Sequence, residues 1–432
     1  MKQNINKILN DVLMNINPSK EELNSIEKFL KNFISETEKK FRVLKIDAEI
    51  FVGGSFAKKT LTKKGIYDID VFARFDEKYR GKDISKLLEK AIGKIKKTKI
   101  SKIHGSRDYF KAEPEGEDFF IEIIPVLNVK NPKEAENITD LSYFHVSYIK
   151  RKLRTEKMFE EVRLAKAFCH AHKCYGAESY INGFSGYAIE LLVYYYSGFL
   201  NFVKAMAKIK DREIIDIEKL YKNKLELNMN MNSAKMGSPI VLIDPTYKER
   251  NALAALSRET FENFQEACRK FLKNPSAEMF ETKKIDFEKE KKNAQKGRYE
   301  FIRFAALTDK QEGDVAGSKL VKFYKHLGNE IEKFYEIKKK DFEYGGEKEA
   351  GFFFVVKNRK EIVVSGPEIK DKKENIKKFK MRHKNVFEKK GRFYAKEKNS
   401  KKIEEFVKDW MNANSQKMME MYIRELRSRH PD

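Results

Sequence analysis

Two aspartates, Asp68 and Asp70, stand two residues apart in "YDIDVFARF", a run that otherwise reads as a buried strand. In a strand, residues i and i+2 share a side, so both carboxylates project together while Ile69 and Val71 face away. Carboxylates this close repel one another unless a cation lies between them. Just upstream, "GGSFAKKT" (53–60) ends the strand-like "IDAEIFV" in a turn. Gly53 and Gly54 allow close backbone approach there, and Ser55 with the neighbouring N–H groups offers donors to a phosphate. A third acid, Glu122, is the only charge in "FFIEIIPVL". Left without a partner, a carboxylate there would cost several kcal/mol, so a metal or a base must compensate. Glu117 and Asp118 stand at the edge of that run as alternatives. An anion cradle beside a divalent-ion bracket suits a nucleoside triphosphate with Mg2+. Three carboxylates on two strands can hold two ions, one activating an attacking hydroxyl and one steadying the leaving pyrophosphate.

A second cluster, "CHAHKC", gathers Cys169, His170, His172 and Cys174. Its surroundings read as helix, where each residue turns by about 100°. Cys169 then pairs with His172 and His170 with Cys174, on different faces, so the four do not converge on a tetrahedral ion. Three cysteines in 432 residues exclude a disulfide framework and point to a reducing cytosol. No apolar run is long enough to span a membrane, and the N-terminus lacks an apolar signal core. Lys and Arg number 90 against 66 Asp and Glu, a formal charge of +24, which favours a polyanionic partner. Hydrophobic residues at 41% still supply several cores.

The elements that must carry these residues follow from patterning. Residues 1–43 read as two helices, the second with Ser19 as N-cap and Glu22 closing a capping box. Three strands, "DAEIFVGG", "IYDIDVFARF" and "DFFIEIIPVLNV", with the helix-like "DISKLLEKAIGKIKK" between the last two, predict a mixed sheet with helices against it. From about 150 to 275 the pattern turns helical, and "GFSGYAIELLVYYYSGFLNFVKAM" is apolar nearly all round, a buried helix or helix pair. "SPIVLIDPTYKERNALAALSRETF" reads as a short strand, a loop and a helix, and residues 281–297 as a charged connector. Beyond them, strand, amphipathic helix, two strands, a basic helix near 373–384 and a hairpin suggest a split β-α-β unit of the ferredoxin-like kind, followed by a helical end at about 399–428. Residues 371–402 carry 14 Lys and Arg against 4 Asp and Glu, interleaved with Phe379, Phe387, Phe393 and Tyr394 as stacking surfaces.

The turn, the D-x-D strand and the later acid resemble the nucleotidyltransferase superfamily of DNA polymerase β. "VGGSFAKKT", "DIDVFARF", "YGAE", "NGFSGYAIELLVYYYSGF", "VLIDPTYKERNALAALS" and "SGPEIKDKKENIKKF" further resemble, in order, the archaeal class I CCA-adding enzymes, the tRNA nucleotidyltransferases that build the 3′-terminal CCA. The resemblance spans about 45 to 395. It implies an α+β multidomain chain: a nucleotidyltransferase head (1–150), a helical neck (151–280), a ferredoxin-like or RRM-like RNA-binding body (281–398) and a helical tail (399–432).

It also implies residue roles. Asp68, Asp70 and Glu122 fit the metal triad, with glutamate where aspartate is usual. Gly54 and Ser55 fit the phosphate-binding turn, and Lys58 stands where an arginine is usual, keeping the charge but not the planar fork. His145 fits a nucleotide-contacting histidine. Lys166 and Tyr175 fit a neck pair that holds the triphosphate; nine residues apart, they need a chain bend near Tyr175 to meet. Arg250 fits the arginine that reads the base edge. Lys372, Lys373, Lys377, Lys378, Lys380 and Arg382 form the RNA-binding basic run. The expected cofactors are two Mg2+ ions, with CTP and ATP as substrates. The expected partner is tRNA, held at its acceptor stem and T-arm; a membrane is excluded and a homodimer is allowed. Two other functions stay open: a poly(A) polymerase or oligoadenylate synthetase relative, and a catalytically idle RNA-binding protein of the same fold.

Overall fold

Two helices, α1 (Lys2–Ile16) and α2 (Lys20–Val43), open the chain, and the capping box forms: Glu22 N donates to Ser19 Oγ at 3.1 Å and Ser19 N to Glu22 Oε2 at 2.6 Å. The computed structural model describes residues 2–428 other than Lys64, Lys94 and Lys96. It divides into two compact units, the first ending at Thr282 and the second beginning at Lys283.

In the first unit, β1 (Ala48–Val52), the short α3 (Gly54–Ala57), β2 (Tyr67–Phe75), α4 (Ile84–Ile92), β3 (Thr98–Ile103), β4 (Tyr109–Pro114) and β5 (Phe119–Leu127) follow. They build one sheet in the order β1-β2-β5-β4-β3, with only the β2–β5 pair parallel. The β3–β4 hairpin is absent from the sequence reading, because "TKISKIHGSRDYFKAEP" contains no apolar run to announce it. Ile26, Leu30, Phe33 and Phe41 of α2 and Leu88 of α4 cover one sheet face together with Ile69, Val71, Ile121 and Ile123.

A second core is helical. It gathers α5 (Ser142–Lys152), α6 (Glu156–Ala171), α7 (Gly186–Tyr195), α8 (Phe199–Met206) and α10 (Arg258–Lys273). The apolar run is thus a helix pair, broken where Ser197 and Gly198 take positive φ. Helix α1, counted with the head in the sequence reading, packs here through Leu9 and Val12. Between α8 and α10 lie β6 (Glu213–Ile215), α9 (Lys224–Asn230), β7 (Ile240–Asp244) and β8 (Tyr247–Asn251). Strand β7 is central, parallel to β6 and antiparallel to β8, so Arg250 sits on a strand and not in a loop.

The second unit begins with α11 (Phe287–Lys296), so the supposed connector is helical, and its Ala294 packs with Phe353 and Val355. Next come β9 (Glu300–Thr308), α12 (Asp314–Glu332), β10 (Tyr335–Tyr344) and β11 (Glu349–Asn358). The segment from β12 (Glu361–Glu368) through α13 (Lys373–Arg382), β13 (Asn385–Lys389) and β14 (Arg392–Lys398) makes its own three-stranded sheet, β12-β14-β13. Then α14 (Ile403–Ala413), α15 (Ser415–Glu420) and β15 (Ile423–Ser428) return to the first sheet, whose order is β10-β11-β9-β15. That is the ferredoxin-like order, but its second helix is α14 and its fourth strand β15. The basic helix α13 belongs to an insertion, and the expected helical tail ends in a strand that completes the body's sheet.

Candidate active site

The Gly53–Gly54 turn is pressed against β2. Gly53 N donates to Asp70 O at 2.9 Å, continuing the β1–β2 ladder beyond Val52. A Cβ on Gly53 would run into the Phe72 ring, and one on Gly54 into the Asp70 carboxylate. Gly54 also has φ +58°, so both chain direction and space demand glycine there. The first turn of α3, with Ser55, therefore lies directly beside Asp70.

Behind Asp68 and Asp70, Ile69 and Val71 are fully buried, and this locks the register that sends both acids to the other face. The parallel ladder sets Asp70 opposite Glu122 on β5, and Lys111 on β4 is the next partner in the row. Burial, then the charges of Asp70 and Asp68, push the Glu122 carboxyl up to about 7, with Lys111 opposing. Asp68 and Asp70, with Glu122 beside them and repelled by both, offer carboxylate oxygens of the kind a hard divalent cation prefers. Among the described residues no three acidic, imidazole or thiolate side chains stand close enough to cage an ion. Mg2+ does not need a full cage, since it is usually held by one or two carboxylates, water and substrate phosphates. The residues fit such an ion.

A cavity of about 160 Å³ opens at this point, lined by Gly54, Ser55, Lys58, Thr60, Asp68, Asp70, Lys166 and Tyr175 among others. Lys166 comes from α6. Tyr175 follows a reversal of the chain through Lys173 (φ +56°), and pairs with Phe184 while its ring stacks on His170 at 3.8 Å. That reversal supplies the bend that nine residues of helix could not. Glu122, His145 and Arg250 lie outside this cavity.

Two acids that the sequence reading missed organise the cations. Glu190, fully buried on α7, takes Lys58 Nζ on Oε2 at 2.6 Å and Lys166 Nζ on Oε1 at 2.8 Å. Thr60 Oγ1 donates to Glu190 Oε1 at 2.7 Å and accepts from Lys166 Nζ at 2.8 Å. Against the cost of burial, the two lysines hold the Glu190 carboxyl down to about 2. Asp244, fully buried at the end of β7, accepts from Arg250 Nη1 at 2.7 Å and Tyr187 OH at 3.0 Å, and pairs with His145 Nε2 at 3.0 Å. Despite burial, His145 and Arg250 keep this acid well below the usual carboxylate range. His145 stacks on Tyr187 at 4.0 Å, and burial lowers its pKa against the pull of Asp244. Tyr187 and Glu190 sit three apart on α7, so one helix face joins the two clusters. Glu190 left a signal in the sequence, as the sole charge in "GYAIELLVYY". Asp244 left a weaker one, since "DP" reads as an ordinary turn start.

In the second unit, Lys372 is the N-cap of α13, and Lys373, Lys377, Lys378, Lys380 and Arg382 lie on the helix, which buries no residue. Lys380 lies 4.4 Å from the Phe393 ring, and Phe387 stacks on Tyr394 at 5.7 Å. Phe393 itself is buried, so it serves the insertion's packing and offers no open stacking face.

The nucleotidyltransferase domain model matches residues 30–138, the stretch that carries all three acids. The model for the second domain of tRNA nucleotidyltransferase matches 160–281, which carries Lys166, Tyr175, Glu190, Asp244 and Arg250. The CCA-adding enzyme of Nanoarchaeum equitans is 34% identical over 316 residues, 73% of this chain and 74% of that protein. The chain belongs to the CCA-adding enzyme family. The CCA-adding enzymes of Thermococcus gammatolerans and Methanocaldococcus jannaschii are each 30% identical, and the match spans 60% and 61% of their lengths, less than two thirds. In fold, the chain resembles an RNA terminal U-transferase (16% identity, TM-score 0.50, 66% of this chain and 100% of the other) and a poly(U) polymerase (14%, 0.50, 64% and 98%). No helix among the described residues of this CCA-adding family member is long and apolar enough to cross a membrane.

Proposed function

We propose that the chain adds C, C and A in turn to the 3′ end of tRNA, using CTP and ATP and no nucleic-acid template, with pyrophosphate released at each step. The observation that supports this reading is the shared cavity: the aspartates of β2 and the cations Lys58 and Lys166 open on one space, so one nucleotide can engage both. Asp68 and Asp70, with Glu122 as third ligand, would hold two Mg2+ ions, which when bound supply an activated 3′-oxygen and charge relief at the leaving pyrophosphate. Lys58 and Lys166 neutralise the phosphates downstream of the reacting one. Ser55 donates a hydroxyl beside the Gly54 turn, and Tyr175 lines the same cavity.

Arg250 faces the base. Its Nη1 is held by Asp244, so the guanidinium is fixed in direction, and its remaining donors meet acceptors on either cytosine or adenine. His145, stacked on Tyr187, walls the same region. No side chain is needed as general base. We read the sheet of β1 to β5 as head, the helical core with α1 as neck, and the four-stranded sheet with its insertion as body, which residues 399–428 complete without forming a separate tail. Residues 429–432 lie outside the described residues. Lys372, Lys373, Lys377, Lys378, Lys380 and Arg382 grip the acceptor stem and T-arm by phosphate contact and shape, as A-form RNA demands. The three buried, unbridged cysteines fit a cytosolic setting.

The test is incubation with tRNA transcripts ending at the discriminator base, in CC, or in CCA, each with one nucleotide at a time. The first should take only C, the second A, and the third nothing. Processive A addition to a complete tRNA, with CTP ignored, would replace this reading with that of a poly(A) polymerase.

A further inference from the structure

Glu190 is a buried acid with no part in the chemistry above, and its neighbours are the cavity's cations. It lies on α7, an otherwise apolar helix, while Lys58 and Thr60 come from the segment after α3 and Lys166 from α6. Each carboxylate oxygen takes one lysine, Oε2 at 2.6 Å and Oε1 at 2.8 Å. The rigid spacing of those two oxygens sets the spacing of the two ammonium groups. Without the acid, two buried cations side by side would repel and be pushed apart. With it, both are held at fixed positions: Lys166 gives its three N–H groups to Glu190 Oε1, Thr60 Oγ1 and Thr60 O and acts through its charge, while Lys58 has N–H donors beyond the one on Glu190 Oε2. All three partners, Lys58, Lys166 and Thr60, line the cavity that holds Asp68 and Asp70. A network serving stability alone has no reason to place every partner on that one wall.

We infer that Glu190 is a positioning residue: it spaces a two-lysine clamp for the polyphosphate end of the incoming nucleotide. The inference rests on the reading of this cavity as a nucleotide site. Glu190→Gln keeps the volume but turns an amide N–H₂ toward one lysine. Thr60→Val removes the hydroxyl that links Glu190 to Lys166 and leaves both charges in place.

The experiment is competition of CTP, pyrophosphate and CMP against labelled CTP on the full chain with Mg2+. In Glu190→Gln, dissociation constants for CTP and pyrophosphate should rise at least about tenfold while that for CMP moves less than about twofold. Thr60→Val should show the same selective loss at about threefold. Equal weakening of CTP and CMP, or no weakening, would overturn the inference. If Glu190→Gln does not fold, Thr60→Val decides on the same criterion. A wild-type protein that binds CTP and pyrophosphate no better than CMP would sink the nucleotide-site reading itself, whereas selective wild-type binding that both variants retain would sink the clamp alone.

Discussion

The cations of the first unit's cleft and those of the second unit's insertion have opposite physical settings. Lys58 and Lys166 are buried, and each is tied to a buried carboxylate. Arg250 is likewise tied to Asp244. Among the described residues, none of Lys372, Lys373, Lys377, Lys378, Lys380 and Arg382 pairs with a carboxylate, and all six are exposed. The difference teaches what each set can recognise. A desolvated, pinned cation acts at one point and cannot follow a ligand that shifts by an ångström. An exposed, mobile lysine meets any phosphate within reach and is screened by salt. The first arrangement suits a small anion in one pose, the second a long polyanion.

The widest effect expected separates chemistry from grip. Asp68→Ala and Asp70→Ala should each lower nucleotide incorporation by about 10³-fold or more, the scale of losing a main electrostatic stabiliser. Their affinity for tRNA in a filter-binding titration should stay near the parent value. Glu122→Gln should lose most activity while Glu122→Asp keeps much of it. Full activity in Glu122→Gln would move the third ligand to Glu117 or Asp118.

Salt sharpens the contrast next. If the interface neutralises about six phosphates, tRNA affinity should fall roughly 10³-fold between 50 and 200 mM salt. Replacing Lys373, Lys377, Lys378 and Lys380 by Met should flatten that slope, with the response of CTP binding to salt unchanged. A parent protein whose tRNA affinity ignores salt would break the comparison.

Stability offers a third measure. Lys166→Met strips Glu190 of one of its two cations and should cost on the order of 3 kcal/mol in urea unfolding. Lys377→Met should stay within about 0.5 kcal/mol.

The smallest effect is on pH. The folded-state pKa of Glu190 is depressed to about 2 from 4.5. Its ionised form therefore contributes stability above about pH 4.5, and that contribution is lost as pH falls toward 2. The melting temperature of Glu190→Gln, relative to the parent, should draw level as pH drops through this window. A constant gap from pH 6 to pH 3 would contradict the pairing.

Much of the catalytic unit was legible because its signals are local. Alternation in "YDIDVFARF" sets which face each residue takes, and the glycines of "VGGS" mark a turn that geometry then requires. The β2–β5 pairing could be inferred only from the need for a third acid, and its register, which the sequence does not give, sets Glu122 opposite Asp70. Arg250 could not be placed on a strand from "YKERN", since a short two-residue turn after Asp244 leaves no apolar run for β8. Glu190 and Asp244 escaped attention because their worth lies in partners far along the chain, at Lys58 and His145. The last strand was hidden by its own pattern. In β15, Ile423 and Leu426 are the buried residues, three apart, across a register shift between Ile423 and Glu425. That spacing reads as helix, and only the free edge of β9 makes it a strand.

The insertion between β11 and α14 has its two ends stitched together. Asn399 N donates to Lys360 O at 3.2 Å, and Asn358 Nδ2 donates to Lys401 O at 3.1 Å. Loop-closure entropy makes such a module thermodynamically light. The contact of β9 with β15 already closes a loop on the order of a hundred residues, and removing about forty of them changes that term by only about 0.4 kcal/mol. The four-stranded sheet is thus nearly indifferent to what is strung between Lys360 and Asn399. A longer, shorter or differently charged module could be grafted at that stitch with the sheet's folding free energy almost unchanged.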